Sequence, residues 1–217
     1  MKKTVIYASL KEKMSRLVAD RRKSLGVVFF LAILAYINIF PNIYVREDYD
    51  YITSWSLIHD LGNLPRFFID FIPPDGPREV YAPLKTLVHS LVYNLSAGNP
   101  LGFHILSLLV HLAGVYVIYQ LSLLLTANAV VSFLTGVLFA LHPVHVEAIT
   151  FMSSASDTLG IIFLFFSFYY YIKGVGYEGA LTIKEPPGEV ISPNKFLGSP
   201  VDYRRALVFA GLAIFTP

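Results

Sequence analysis

The chain has 217 residues, of which 55% are hydrophobic and only 15% are charged, and its mean hydropathy is +0.58. Ordinary soluble domains carry about 25% charged residues, so this composition predicts an integral membrane protein. The absence of cysteine excludes disulfides and thiolate metal sites. The net charge of +2 is nearly balanced, so the topology has to be inferred from how the charges are distributed.

Residues 1–24 form a basic segment that holds eight lysines and arginines against two acids. Apolar residues recur in it at helical spacing, which predicts an amphipathic helix on the anionic cytoplasmic leaflet. A nucleic-acid-binding arm is the alternative interpretation. We exclude nucleic acid as a partner because the next residues enter the bilayer.

Long apolar runs follow, and runs of about 20 such residues mark membrane helices. They predict an all-α, polytopic helical bundle with about four full spans and a partial fifth, at residues 25–44, 101–125, 129–141, 158–172 and 206–217. The first run lacks a small-residue cleavage site, which favours an uncleaved span over a signal peptide. The last rises only about 18 Å, so we expect a truncated span or an end that docks on a partner.

The charge distribution predicts that the amino terminus is cytoplasmic. Residues 45–100 are then a large, acidic outer loop with interfacial helices, and residues 174–205 are a solvated cytoplasmic loop. Within the outer loop, an apolar stripe predicts a helix of about 14 residues and about 21 Å, short of the roughly 30 Å core. The stripe consists of Leu84, Leu87, Val88, Leu91 and Leu95, opposite Lys85, His89 and Asn94.

Two polar clusters fall at predicted outer ends of spans. Glu47 and Asp48 follow the first span and could supply a catalytic base or bind a divalent cation through oxygen, or could be solvated loop charges. His142, His145 and Glu147 follow the third span. Their imidazoles could contact a phosphate or leaving group, or could cap a helix end and bond between helices. No third ligand is suitably spaced for zinc.

Three further polar residues lie on the predicted spans. His104 and His111 are two turns apart, about 10.5 Å, so they do not share a metal on a straight helix. His104 is near the outer end and could face the site, whereas His111 is expected to be buried and hydrogen-bonded. Asp157 is expected to be the N-cap of the fourth span.

Four segments, in the same order and spacing, resemble the transmembrane-and-TPR-repeat O-mannosyltransferase family. FHILSLLVH at 103–111 is similar to its "FHLVNLLLH" block, and LHPVHVEA at 141–148 to its "LHPVHVEA" block. Asn-Pro at 99–100 resembles its "NP-x-x-FH" lead-in, and YVRED at 44–48 its "F-V-x-D-D". The resemblance covers residues 25–173 and implies a C-type glycosyltransferase core.

This resemblance implies an extracytoplasmic site, a polyprenyl-phosphate-linked sugar as donor and a hydroxyl acceptor, often on protein. Asp48 would be the general base, with Glu47 beside it. His142, His145 and Glu147 would line the donor phosphate or brace the outer loop, and His104 would face the same site.

Two departures from the family pattern favour an alternative. The family's "Y-R-P-L" reads YAPL at 81–84 and its "S-G-R-x-D" reads SSASD at 153–157, so Ala82 and Ala155 replace arginines. Arginine is the natural partner of phosphate. A divalent cation could supplement the lost charge, although the sequence assigns no metal ligands. The alternative is a truncated, catalytically silent relative that acts as a membrane anchor or subunit of a larger complex. A channel or transporter is less favoured, because paired broken helices are missing.

Overall fold

The computed structural model describes residues 12–13, 16–46, 48–69, 81–175 and 200–216, and all regular secondary structure within them is helical. The α-helices are α1 (Arg21–Tyr36), α2 (Leu64–Ile69), α3 (Pro83–Ser96), α4 (Pro100–Thr126), α5 (Ala129–Leu141), α6 (Val146–Thr150), α7 (Ala155–Gly174) and α8 (Pro200–Ile214). Short 3-10 or π turns lie at Ile37–Ile39, Tyr49–Thr53, Ser56–His59, Leu61–Asn63 and Pro143–His145.

Polar side chains cap the amino ends of α1, α4 and α5. Asp20 accepts hydrogen bonds from the backbone N–H groups of the first turn of α1. Asn99 caps α4, with Pro100 in the first helical position, and Asn128 caps α5. Such caps satisfy backbone donors that have no partner inside the helix. α5 has the predicted bounds, residues 129–141.

Among the described residues, three helices are long and apolar enough to cross a membrane: Arg21–Ile39, Pro100–Thr126 and Ala155–Gly174. α5 and the segment Pro143–Thr150 form a pair bent by 45°, and counting them as one span raises the number there to four. α5 alone has 13 residues, a rise of about 20 Å. The prediction of an all-α, multi-pass membrane protein is confirmed, and the number of spans in the whole chain stays a prediction.

The helices pack through small residues, as is usual in membranes. α5 lies between α1 and α4 at Gly136, where a Cβ atom would be 3.2 Å from the Tyr119 ring and 3.4 Å from Val28. Tyr119 also donates a hydrogen bond of 3.2 Å to Ser24 of α1. α7 packs between α4 and α8. The first three spans therefore form a tight group, to which α7 and α8 are added.

α8 begins at Pro200, earlier than the predicted partial span at residue 206. Asp202 lies in its first turn and pairs with Arg205 at 3.6 Å, an i,i+3 contact that supports a helix. Residues 176–199 of the predicted cytoplasmic loop lie outside the described residues. So does most of the predicted basic helix, of which residues 12–13 and 16–19 are helical.

α3 turns its polar side inward. Lys85, Thr86, His89 and Ser90 are buried, whereas Leu91 is 41% and Leu95 86% exposed. In lipid, polar side chains face the bundle interior and apolar side chains face outward. Leu91 and Leu95 of the predicted apolar stripe therefore lie on the outer side of the bundle, and the polar face of α3 contributes to a buried site next to α4 and α7.

Candidate active site

Asp48 is fully buried, at 0% exposure, at the start of the π turn Tyr49–Thr53. Its Oδ2 atom accepts the backbone N–H of Val45 at 3.2 Å, which closes a tight turn in which Arg46 has a positive φ of 45°. Its Oδ1 atom accepts the N–H of Ser153 at 2.9 Å. One carboxylate therefore joins the segment after α1 to the segment before α7.

Neighbouring contacts bring the amino end of α4 to the same place. The Tyr44 hydroxyl donates to the carbonyl of Gly98 at 2.7 Å. His104 is buried and its Nε2 atom donates to the carbonyl of Asn42 at 3.2 Å. His104 therefore contacts the segment that leads from α1 to Asp48.

An ion pair that was not predicted lies beside Asp48. The Lys85 ammonium group bonds the Asp157 carboxylate and is 4.8 Å from the centre of the Tyr51 ring, and Tyr51 is one turn after Asp48. Lys85 is 6% exposed. The expectation that Asp157 caps a helix is wrong, because α7 begins at Ala155 and Asp157 lies within its first turn.

Further polar groups surround this pair. His89, one turn after Lys85 on α3, and Ser156, beside Asp157, are fully buried, and neither has a side-chain hydrogen-bond partner among the residues that the structure describes. Burial, together with the nearby Lys85 charge, lowers the pKa of His89 from 6.5 to about 3. His89 is therefore neutral at ordinary pH. We name these five residues, Asp48, Lys85, His89, Ser156 and Asp157, the buried polar layer.

The His-Pro motif lies at the same end of the bundle but makes different contacts. The Nδ1 atom of exposed His142 accepts the Val144 N–H at 3.1 Å and so caps the turn Pro143–His145. The His142 carbonyl accepts the Tyr36 hydroxyl of α1 at 3.3 Å. His142 therefore has the helix-capping role that was one of the two sequence interpretations. Its contact with a donor phosphate stays a prediction.

His145 and His111 pack as rings. The ring centre of His145 is 4.3 Å from that of Phe139 and 5.5 Å from that of His111. The His111 Nε2 atom donates to the Ala140 carbonyl at 3.2 Å, which confirms the prediction of a buried, hydrogen-bonded residue. We name His111, His142 and His145 the histidine cluster.

The two groups are adjacent but separate. Within the described ranges, no hydrogen bond, ion pair or ring contact joins Asp48 to His142, His145 or Glu147. Glu147 is exposed in the first turn of α6. The buried polar layer meets α4 near His104, whereas the histidine cluster meets it about 10.5 Å further along. The two groups therefore contact different parts of one helix, and a pocket shared by them stays a prediction.

The described residues contain no recognisable metal site. No group of three or more His, Asp or Glu side chains there is arranged to hold an ion. Glu47 lies outside the described residues, so a divalent cation at Glu47 and Asp48 stays a prediction.

These features define the class: an integral, multi-pass, all-helical membrane protein with buried polar side chains at one end of its bundle. The chain is 29% identical over 117 residues to human protein O-mannosyl-transferase TMTC2, covering 52% of this chain and 14% of that protein. It is 33% identical over 101 residues to human protein O-mannosyl-transferase TMTC3, covering 46% and 11%. It is 27% identical over 154 residues to Xenopus laevis protein O-mannosyl-transferase tmtc2, covering 69% and 18%.

These similarities confirm the resemblance inferred from the motifs. The chain covers less than a fifth of the length of each of these three relatives. No protein-family model and no solved structure matches it.

Proposed function

We propose that this chain acts in a membrane glycosyltransferase that moves a sugar from a polyprenyl-phosphate donor to a hydroxyl group, on protein, at the extracytoplasmic face. The names of its relatives support mannose as the sugar. The observation that carries the proposal is that Asp48 accepts the N–H of Ser153, four residues before the Asp157 that pairs with Lys85. An acid that can take a proton and a cation that can stabilise the leaving phosphate are what such a transfer needs.

The reaction would proceed as a single displacement. Asp48 would accept the proton of the acceptor hydroxyl while the oxygen of that hydroxyl attacks the anomeric carbon of the sugar. The bond from that carbon to the phosphate oxygen breaks, and the lipid phosphate leaves with the electron pair. Cationic and imidazole groups, among them the predicted residues His104, His142 and His145, would stabilise the departing charge. Asp48 is buried, so the acceptor would have to open the turn that covers it.

The test is transfer of labelled mannose from polyprenyl-phosphate mannose to a serine- and threonine-containing peptide. We expect Asp48→Asn to lower the rate by at least about 100-fold, the scale of a lost general base. Asn keeps an oxygen that can accept the Ser153 N–H. Asp50→Asn is the matched control, because Asp50 is exposed in the same turn. Full transfer by Asp48→Asn removes Asp48 from the mechanism.

A second function is favoured by a different observation. Both oxygens of Asp48 are occupied by backbone donors, and alanines stand at 82 and 155. These features suit a silent relative that serves as a membrane subunit, with Asp48 in a structural role. A wild-type chain that turns over no donor, but co-purifies stoichiometrically with a membrane partner, would support this alternative.

A further inference from the structure

Lys85 is a buried cation whose position needs explanation. Burying an ammonium group is unfavourable unless it is paired and hydrogen-bonded. The Lys85–Asp157 pair joins helices α3 and α7 across 72 residues of sequence. Its two halves differ in access, because the side chain of Lys85 is 7% exposed and that of Asp157 is 35% exposed. The pair can therefore be reached from the Asp157 side.

Both positions where the family pattern has arginine are close in the chain to a member of the pair. Ala82, the N-cap residue of α3, is one turn before Lys85. Ala155 is in the first turn of α7, with Asp157. Lys85 thus brings a positive charge to the junction of the two segments that lost one.

Two buried residues with hydrogen-bond donors are close in the chain to the two members of the pair. Ser156 precedes Asp157 in α7, and His89 is one turn after Lys85 in α3. Both are fully buried, and their polar atoms lack hydrogen-bond partners within the described segments. Buried polar atoms are rarely left without a partner in proteins. A cation with nearby hydroxyl and N–H donors is a suitable contact set for phosphate oxygens.

We propose that Lys85, with Ser156 and His89, binds the phosphate group of a prenyl-phosphate lipid and supplies the charge that the replaced arginines would have carried. Asp157 holds the ammonium in position and shares it with the phosphate. This inference rests on the proposed function for its choice of lipid, but it concerns equilibrium binding alone. It therefore stands or falls separately from sugar transfer.

The experiment measures binding of citronellyl phosphate and of citronellol, the same lipid without phosphate, to the whole chain in detergent. Trp55 is the only tryptophan, is buried and packs in a cluster with Leu87 of α3, so its fluorescence is a native probe. We expect the wild type to bind the phosphate at least tenfold more tightly than the alcohol. Lys85→Met is expected to reduce this preference to about one, and Lys85→Arg to keep it.

Two further variants separate binding from a purely structural ion pair. A structural pair predicts that Asp157→Asn and Lys85→Met lose the phosphate preference together, because both break the pair. The proposal predicts that Asp157→Asn keeps or strengthens the preference, since the cation remains. Ala82→Arg in the Lys85→Met background should restore it. Lys173→Met is the control, because Lys173 is an exposed cation near the other end of α7, over the Tyr169 ring.

Several outcomes would overturn the inference. One is a folded Lys85→Met chain that still prefers citronellyl phosphate to citronellol. Another is a parallel loss of this preference in Lys85→Met and Asp157→Asn. The third is equal affinity of the wild type for inorganic phosphate and for the prenyl phosphate. If Lys85→Met does not fold, the Asp157→Asn and Lys85→Arg results decide: loss of the preference in either overturns it. Binding that follows the expected order without any sugar transfer supports the inference and removes the enzyme proposal.

Discussion

The histidine cluster and the buried polar layer lie at the same end of one bundle and differ in how their side chains are satisfied. In the histidine cluster, His142 caps a turn and the tilted rings of His111 and His145 pack against each other. In the buried polar layer, an ion pair is surrounded by donors such as His89 that have no partner in the described part of the chain. The most recognisable motif thus makes structural contacts, whereas buried polar atoms without a partner in the described residues lie in the buried polar layer.

Removing Asp48 is the strongest test of this difference. Asp48→Ala leaves the N–H groups of Val45 and Ser153 without an acceptor, and the buried orphaned donor of Ser153 alone costs about 1–3 kcal/mol. The free energy of unfolding in detergent, compared with that of Asp50→Ala, measures the loss. A loss as small as that of the exposed control would mean that Asp48 does not hold the two segments together.

Acid is expected to weaken the buried polar layer through His89. Its pKa is 6.5 when exposed and about 3 when folded, so the unfolded chain binds a proton that the folded chain does not across this window. The contribution of neutral His89 to the free energy of unfolding is therefore fully present above pH 6.5. It falls by up to about 1.4 kcal/mol per pH unit as the pH drops toward 3. Thermal unfolding between pH 7 and 4.5 measures the slope. His89→Phe should flatten it, and identical slopes would exclude His89 as the cause.

The position of α3 depends on a close approach to α4. A Cβ atom at Gly102 would lie 2.5 Å from the Ser96 Cβ atom, so Gly102→Val should cost about 1–3 kcal/mol through overpacking. Gly26→Ala is the control, because no atom lies within 4 Å of its added Cβ. Chemical unfolding of both variants tests this. Equal stabilities would mean that α3 can shift without loss, and the buried polar layer with it.

The smallest effect is expected in the histidine cluster. His142→Ala removes one capping hydrogen bond and should cost about 1 kcal/mol, which His142→Asn should recover because Asn is a good cap. Thermal unfolding of the two variants provides the comparison. A cost for His142→Ala that matches that of Asp48→Ala would make the histidine cluster as important to the fold as the buried polar layer.

Sequence patterns predict the bounds of helices that are determined by local features. α5 has the predicted bounds and α4 differs by a residue at each end, because hydrophobic length and adjacent caps such as Asn128 determine both. The helical stripe also predicted α3. Its pattern could not tell which face meets the bundle. Asp157 was taken as a cap because the partner that defines its role, Lys85, is far away in the sequence.

The amino-acid sequence by itself determined that this is a multi-pass helical membrane protein, because apolar content and segment length are properties of the chain alone. It also carried the motifs that relate the chain to the protein O-mannosyl-transferases. Only the tertiary structure decided which polar side chains meet. The contacts of Asp48 with Ser153 and of Lys85 with Asp157 span 105 and 72 residues, and they depend on how each helix is rotated in the bundle. That rotation follows from packing between helices, which no local pattern specifies.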